Sequence, residues 1–94
     1  VAEDLAQLRQ QIDDLDDQVL TILAKRFEVV KRVAAYKKEH KLPVVQEDRM
    51  AGVVTRLATV HKSAEMTPEF ISKLYRLIMN QAVTAENSWV DESN

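Results

Sequence analysis

The chain has no cysteine, a single glycine (Gly52) and two prolines (Pro43 and Pro68) in 94 residues. Without cysteine there is no disulfide framework, no thiol catalysis and no thiolate metal site. With so few glycines and prolines the backbone has few places to turn, which argues for an all-helical chain with few connections. Neither sign of charge dominates: 13 lysines and arginines stand against 15 acids, for a net charge of −2. That balance lacks the basic footprint of a nucleic-acid binder. No apolar run approaches membrane-spanning length, and no signal-type apolar segment precedes the first predicted helix. A soluble, cytoplasmic protein with neither nucleic acid nor membrane as partner is therefore expected. His40 and His61 stand too far apart to suggest a metal site. A chain of this length makes one domain at most, spanning residues 1–94, and buries only a modest core alone.

What the chain does have is a stripe. Leu5, Leu8, Ile12, Leu15, Val19, Ile22, Arg26, Val29, Val33 and Tyr36 keep an unbroken 3-4 alternation. These are a and d positions of a heptad seam, and they should face another helix. Arg26 alone interrupts the apolar series. A permanent charge in a dry seam needs an anion or a carboxylate partner. Either Arg26 pairs with an acid, such as Glu28 or Asp16 of a partner, or the seam encloses a pocket for an anionic ligand.

The first helix is predicted from about Glu3 to His40. Aspartates load its front half and lysines its back half, which suits the helix macrodipole. At roughly 1.5 Å per residue it exceeds about 50 Å, too long for the rest of one chain to cover. A second copy is the expected cover. Pro43 breaks the helix, and Glu47 and Asp48 open a second one. Its apolar stripe is Met50, Val53, Val54, Leu57 and Val60. Thr67 as N-cap, Pro68 at the first helical position and Glu69 in the first turn mark the third start. Phe70, Ile71, Leu74, Tyr75, Leu77, Ile78, Ala82 and Val83 are its predicted buried face, and residues 88–94 its frayed tail.

Arg26 and Lys37 are eleven residues apart, close to three whole turns, so they share a face of the first helix. Arg9 stands roughly 40 Å from Lys37 on the same helix and cannot join it within one chain. An antiparallel pair of chains crossing near Leu23 changes this, because positions 9 and 37 lie equally far from 23. Arg9 of one copy then completes a cationic site with Arg26 and Lys37 of the other, twice per two-fold dimer. Three cations around one small volume repel one another. The arrangement makes sense with an anion, and best with one bearing two carboxylates.

In these features the chain resembles the all-helical (AroQ-type) chorismate mutases, small three-helix subunits that interlock as dimers. The similarity runs from about Leu5 to Glu86. It is carried by Leu8-Arg9-Gln10-Gln11-Ile12-Asp13, Leu23-Ala24-Lys25-Arg26, Val33-Ala34-Ala35-Tyr36-Lys37, Pro43 with Asp48-Arg49, and the helix ending near Glu86. The resemblance implies an all-α subunit with one very long N-terminal helix, in an interlocked antiparallel homodimer with shared sites. It implies a small dicarboxylate substrate and no cofactor. Arg9 matches an arginine donated across the dimer to a substrate carboxylate, and Arg26 one that grips the other carboxylate. Lys37 matches a lysine that bridges a carboxylate and the ether oxygen. Arg49 matches a supporting arginine, and Glu86 a Gln-or-Glu position facing the ether oxygen. Gln46 falls in the loop over the ring side of the substrate. Ala82 stands where some members carry a serine that contacts a carboxylate, so that contact is lost.

Met50 departs from the pattern. Typical members carry there a glutamate that binds the C4 hydroxyl of chorismate, and a thioether is a weak acceptor. The stretch Gln46-Glu47-Asp48-Arg49-Met50 is more similar to the branch acting on 4-amino-4-deoxychorismate, which also has an apolar residue here. Isochorismate-pyruvate lyases share that apolar residue but tend to have Gln at the position of Glu86. The implied reaction is a [3,3]-sigmatropic shift. The arginines would hold the substrate in its reactive chair. Lys37 would stabilise negative charge growing on the ether oxygen. Glu86 would help only when protonated, because a carboxylate repels that oxygen.

Each residue has a plainer role when taken alone. Arg26 is a register device, Lys37 a solvated lysine and Arg9 an ion-pair partner of Asp13 at i, i+4. Glu86 is a surface acid and Met50 core filler. The rival of another class is a non-catalytic helical dimerisation module, in which Arg26→Leu stabilises the dimer. The chain length leaves no room for a fused dehydratase or dehydrogenase, so coupling to a downstream enzyme is expected in trans.

Overall fold

The computed structural model describes residues 4–92, with side chains described from Asp4 to Trp89. Three helices make up the fold: α1 (Leu5–Glu39), α2 (Glu47–Val60) and α3 (Pro68–Glu92). No strand occurs among the described residues. The α1 start is a capping box. The Gln7 amide N–H donates to Asp4 Oδ1 at 2.8 Å, and the Asp4 amide N–H donates to Gln7 Oε1 at 3.1 Å, which satisfies two exposed backbone donors. At the start of α3 the Phe70 amide N–H donates to Thr67 Oγ1 at 3.2 Å, as the Thr-Pro-Glu sequence predicts. Helical geometry continues through Ser88 to Glu92, further than expected for a polar tail. A contact from α1 holds that last stretch, with the Lys31 ammonium 5.8 Å from the ring centroid of Trp89. Residues 93 and 94 lie outside the described residues.

α1 stops in a Schellman turn. The Leu42 amide N–H donates to the Lys37 carbonyl at 2.8 Å, and the Lys41 amide N–H to the Lys38 carbonyl at 3.2 Å. Lys41 takes the left-handed conformation such a turn requires, with φ of 56°. The chain then folds back over the end of α1 through Pro43 to Gln46.

α3 packs against both other helices, and α1 and α2 do not pack on each other. α3 runs in the same direction as α1, since Arg26 meets Tyr75 and Lys37 meets Glu86. The core is thin. Its buried apolar residues, among the described residues, are Ala34, Val53, Ile71, Met79 and Ala82.

α1 carries two adjacent stripes with different partners. Leu23, Phe27, Val30, Ala34 and Lys37 are at least half-buried within the chain, also at 3-4 spacing. The predicted seam is the neighbouring row, and its nine apolar members remain 40–63% exposed. From Leu5 to Ile22 every residue of α1 is exposed. On α3 the predicted buried face is too broad: Phe70, Leu74 and Leu77 are exposed, because they lie about a quarter-turn from the row occupied by Ile71, Ile78 and Ala82. Val60, at the last turn of α2, is exposed as well.

The chain is a slab of 59 × 27 × 15 Å with a radius of gyration of 17.1 Å, against about 12 Å for a compact domain of this length. Its accessible surface of 7426 Å² is about 1,900 Å² more than the roughly 5,500 Å² expected of a compact monomer of its mass. The bare apolar face of α1 contributes to this excess.

Candidate active site

Seven of the eight residues singled out in the sequence line one cavity of about 490 Å³: Arg26, Lys37, Gln46, Arg49, Met50, Ala82 and Glu86. α1 supplies Arg26 and Lys37 from one face, three turns apart. The loop after the Schellman turn supplies Gln46, the first turn of α2 supplies Arg49 and Met50, and α3 supplies Ala82 and Glu86. Val30, Val33, Val44, Val53, Met79 and Val83 form the apolar wall. Three cations and one acid line the space, an excess of two positive charges within an apolar surround. Such a cavity favours a compact dianion with a hydrocarbon body.

Lys37 is the most constrained cation. Its Nζ donates to the Val44 carbonyl at 2.7 Å and to Glu86 Oε1 at 3.0 Å. Its side chain is 14% exposed and that of Glu86 is 6% exposed. The Val44 carbonyl reaches Lys37 because the Schellman turn sends the chain back along α1. α3 brings Glu86 to Lys37 as a counter-charge.

Arg26 is half-buried, and no acid lies within ion-pair distance of it among the described residues. Within the described chain Arg26 faces the cavity and pairs with no carboxylate. Its guanidinium carbon lies 5.7 Å from the ring centroid of Tyr75. Arg49 is exposed at the cavity rim. Gln46 Nε2 donates to the Pro43 carbonyl at 3.0 Å, which uses one of its two amide N–H groups. Arg9 is not at the cavity. It lies exposed on the uncovered half of α1, seventeen residues and roughly 25 Å before Arg26.

Sequence reasoning missed two contributors. Val44 acts through its backbone carbonyl, which no residue type reveals. Tyr75 reads as ordinary core, and its contact with Arg26 depends on the register between α1 and α3.

The family model for chorismate mutase type II matches residues 8–87. The chain belongs to that family. Chorismate mutases are isomerases, and the resemblance read from the residues is borne out. The chain is 39% identical over 90 residues to the T-protein of Enterobacter agglomerans, covering 93% of this chain and 23% of that one. It is 30% identical over 88 residues to the bifunctional chorismate mutase/prephenate dehydratase of Escherichia coli (strain K12), covering 94% of this chain and 23% of that one. It is 28% identical over 86 residues to the 4-amino-4-deoxychorismate mutase of Streptomyces pristinaespiralis, covering 92% of this chain and 67% of that one. The chain thus spans 23% of the length of the first two relatives and two thirds of the third. No helix among the described residues is long and apolar enough to cross a membrane.

Proposed function

We propose that this chain catalyses the [3,3]-sigmatropic rearrangement of chorismate or 4-amino-4-deoxychorismate to the prephenate-type product, in the cytoplasm. The observation that carries this reading is the convergence of Arg26, Lys37 and Arg49 with Glu86 on one apolar-walled cavity. In the reaction the ether C–O bond breaks and a C–C bond forms within one molecule, so atoms balance without a co-reactant. Arg26 takes one carboxylate of the substrate. Lys37, already aimed by the Val44 carbonyl, donates to the ether oxygen as charge grows there. Glu86 stands beside that ammonium as its counter-charge.

The second carboxylate is taken by Arg9 of a second copy, in an antiparallel homodimer that crosses near Leu23. Two features support the dimer: the exposed apolar row on α1, and the surplus of about 1,900 Å² per chain, which doubled falls in the range of obligate interfaces.

Between the two substrates we favour the amino compound. Met50 places no carboxylate near the ring substituent, and two relatives matched over most of this chain are named 4-amino-4-deoxychorismate mutase. The test gives the purified protein both compounds in parallel, identifies products by mass spectrometry and compares kcat/KM. Selective turnover of the amino compound supports the favoured substrate. Fast conversion of chorismate to prephenate makes the chain an ordinary chorismate mutase. Turnover of neither directs attention to isochorismate lysis, and then to a dimerisation module.

A further inference from the structure

Arg26 and Lys37 stand eleven residues apart on α1, and Tyr75 and Glu86 stand eleven apart on α3. The pairs Arg26–Tyr75 and Lys37–Glu86 are both separated by 49 positions in sequence. One helix register therefore sets both contacts, three turns apart: a carboxylate on the lysine and a ring under the arginine. The two partners differ in what they do to the cation. A carboxylate at Tyr75 would neutralise the guanidinium and compete with any anionic ligand. An aromatic face attracts a cation through its quadrupole and leaves the positive charge whole.

Tyr75 is half-buried and also borders a second, smaller cavity with Leu57, Ile71 and Leu74. The ring is the part of Tyr75 that meets the guanidinium, with its centroid 5.7 Å from Arg26 Cζ. Arginine is rich in rotamers, and ordering it at the moment of binding costs affinity.

We propose that Tyr75 is a positioning residue for Arg26: its ring preorganises the guanidinium for one carboxylate of the ligand without neutralising it. This rests on reading the cavity as a dicarboxylate site. Substitution with trifluorophenylalanine weakens the ring quadrupole while nearly preserving its shape, so folding is not at stake. The experiment compares Tyr75→Phe with trifluorophenylalanine at the same position, each with Arg26 intact and with Arg26→Ala. The probe is a bicyclic ether dicarboxylate that mimics the rearranging chair, with binding read by calorimetry, alongside steady-state kinetics.

With Arg26 intact, fluorination weakens binding by roughly two- to thirty-fold relative to Tyr75→Phe, the range expected for a cation–ring contact. The loss falls on KM, with kcat nearly unchanged, because the carboxylate is held equally in ground and transition states. In the Arg26→Ala background the difference between the two rings vanishes. Equal affinity of the two rings with Arg26 intact, or an equal loss without it, overturns the proposal and makes Tyr75 packing alone. Failure of the unsubstituted protein to bind the probe overturns the dicarboxylate reading, and this inference with it.

Discussion

Lys37 and Glu86 lie on different helices, 49 residues apart, and meet at 3.0 Å with both side chains largely buried. A buried ion pair is poor evidence of stability, because desolvating both charges offsets their attraction. Removing one partner is different, since the other charge is left stranded. Lys37→Met is expected to destabilise the protein by about 3 kcal/mol, the lower end for breaking a buried pair. Lys37→Met combined with Glu86→Leu should recover most of that loss and remain inactive. Chemical denaturation beside the mutase assay checks both. A double variant as unstable as the single one would mean that the pair holds the fold together.

Glu86→Gln is expected to remain active. A carboxylate repels the ether oxygen as its charge grows, whereas a carboxamide donates to it. Steady-state kinetics of the two proteins under one set of conditions check this. A variant slowed by about a hundredfold or more would mean that the carboxyl group itself serves the chemistry.

If each cavity is completed by Arg9 of a second copy, defects on separate chains should complement. Arg9→Ala and Arg26→Ala are each expected to lose activity by at least about a hundredfold, as for loss of a charge clamp on the reacting group. Mixed after unfolding and refolding together, they form heterodimers with one intact site. Random pairing then restores about a quarter of the full activity, since half the dimers are mixed and each has one good site of two. A mixture no more active than its parts would place Arg9 outside the site.

Lys41 holds a left-handed backbone, with φ of 56°, at the turn that aims the Val44 carbonyl. A side chain in that conformation costs about 1 kcal/mol that glycine avoids. Lys41→Gly is expected to raise the melting temperature by several degrees, at roughly 4–8 °C per kcal/mol for a chain this size. Its kcat should be unchanged, because the turn is kept. A lower melting temperature would show that the Lys41 side chain contributes something the backbone geometry does not.

Much of the fold is legible before any coordinates. Pro43, Glu47, Asp48 and the Thr67-Pro68-Glu69 start mark three helices and place their starts to within a residue or two, because caps and breakers act locally. The spacing of Arg26 and Lys37 puts them on one face of α1, since helix geometry relates residues a few turns apart. The family is legible too, in the ordered set from Leu8 to Glu86. Tertiary structure decided everything that depends on register between helices. It split the apolar surface of α1 into a row that meets α3 through Ala34 and a row left bare at Ile22 and Val29. A pattern of 3-4 spacing cannot tell two adjacent rows apart. It also set Glu86 on Lys37, Tyr75 under Arg26 and the Val44 carbonyl at the lysine ammonium. The first two contacts join residues 49 apart along the chain, a separation that carries no periodic signal, so only the packed helices could bring them together, while the third follows from the Schellman turn after α1.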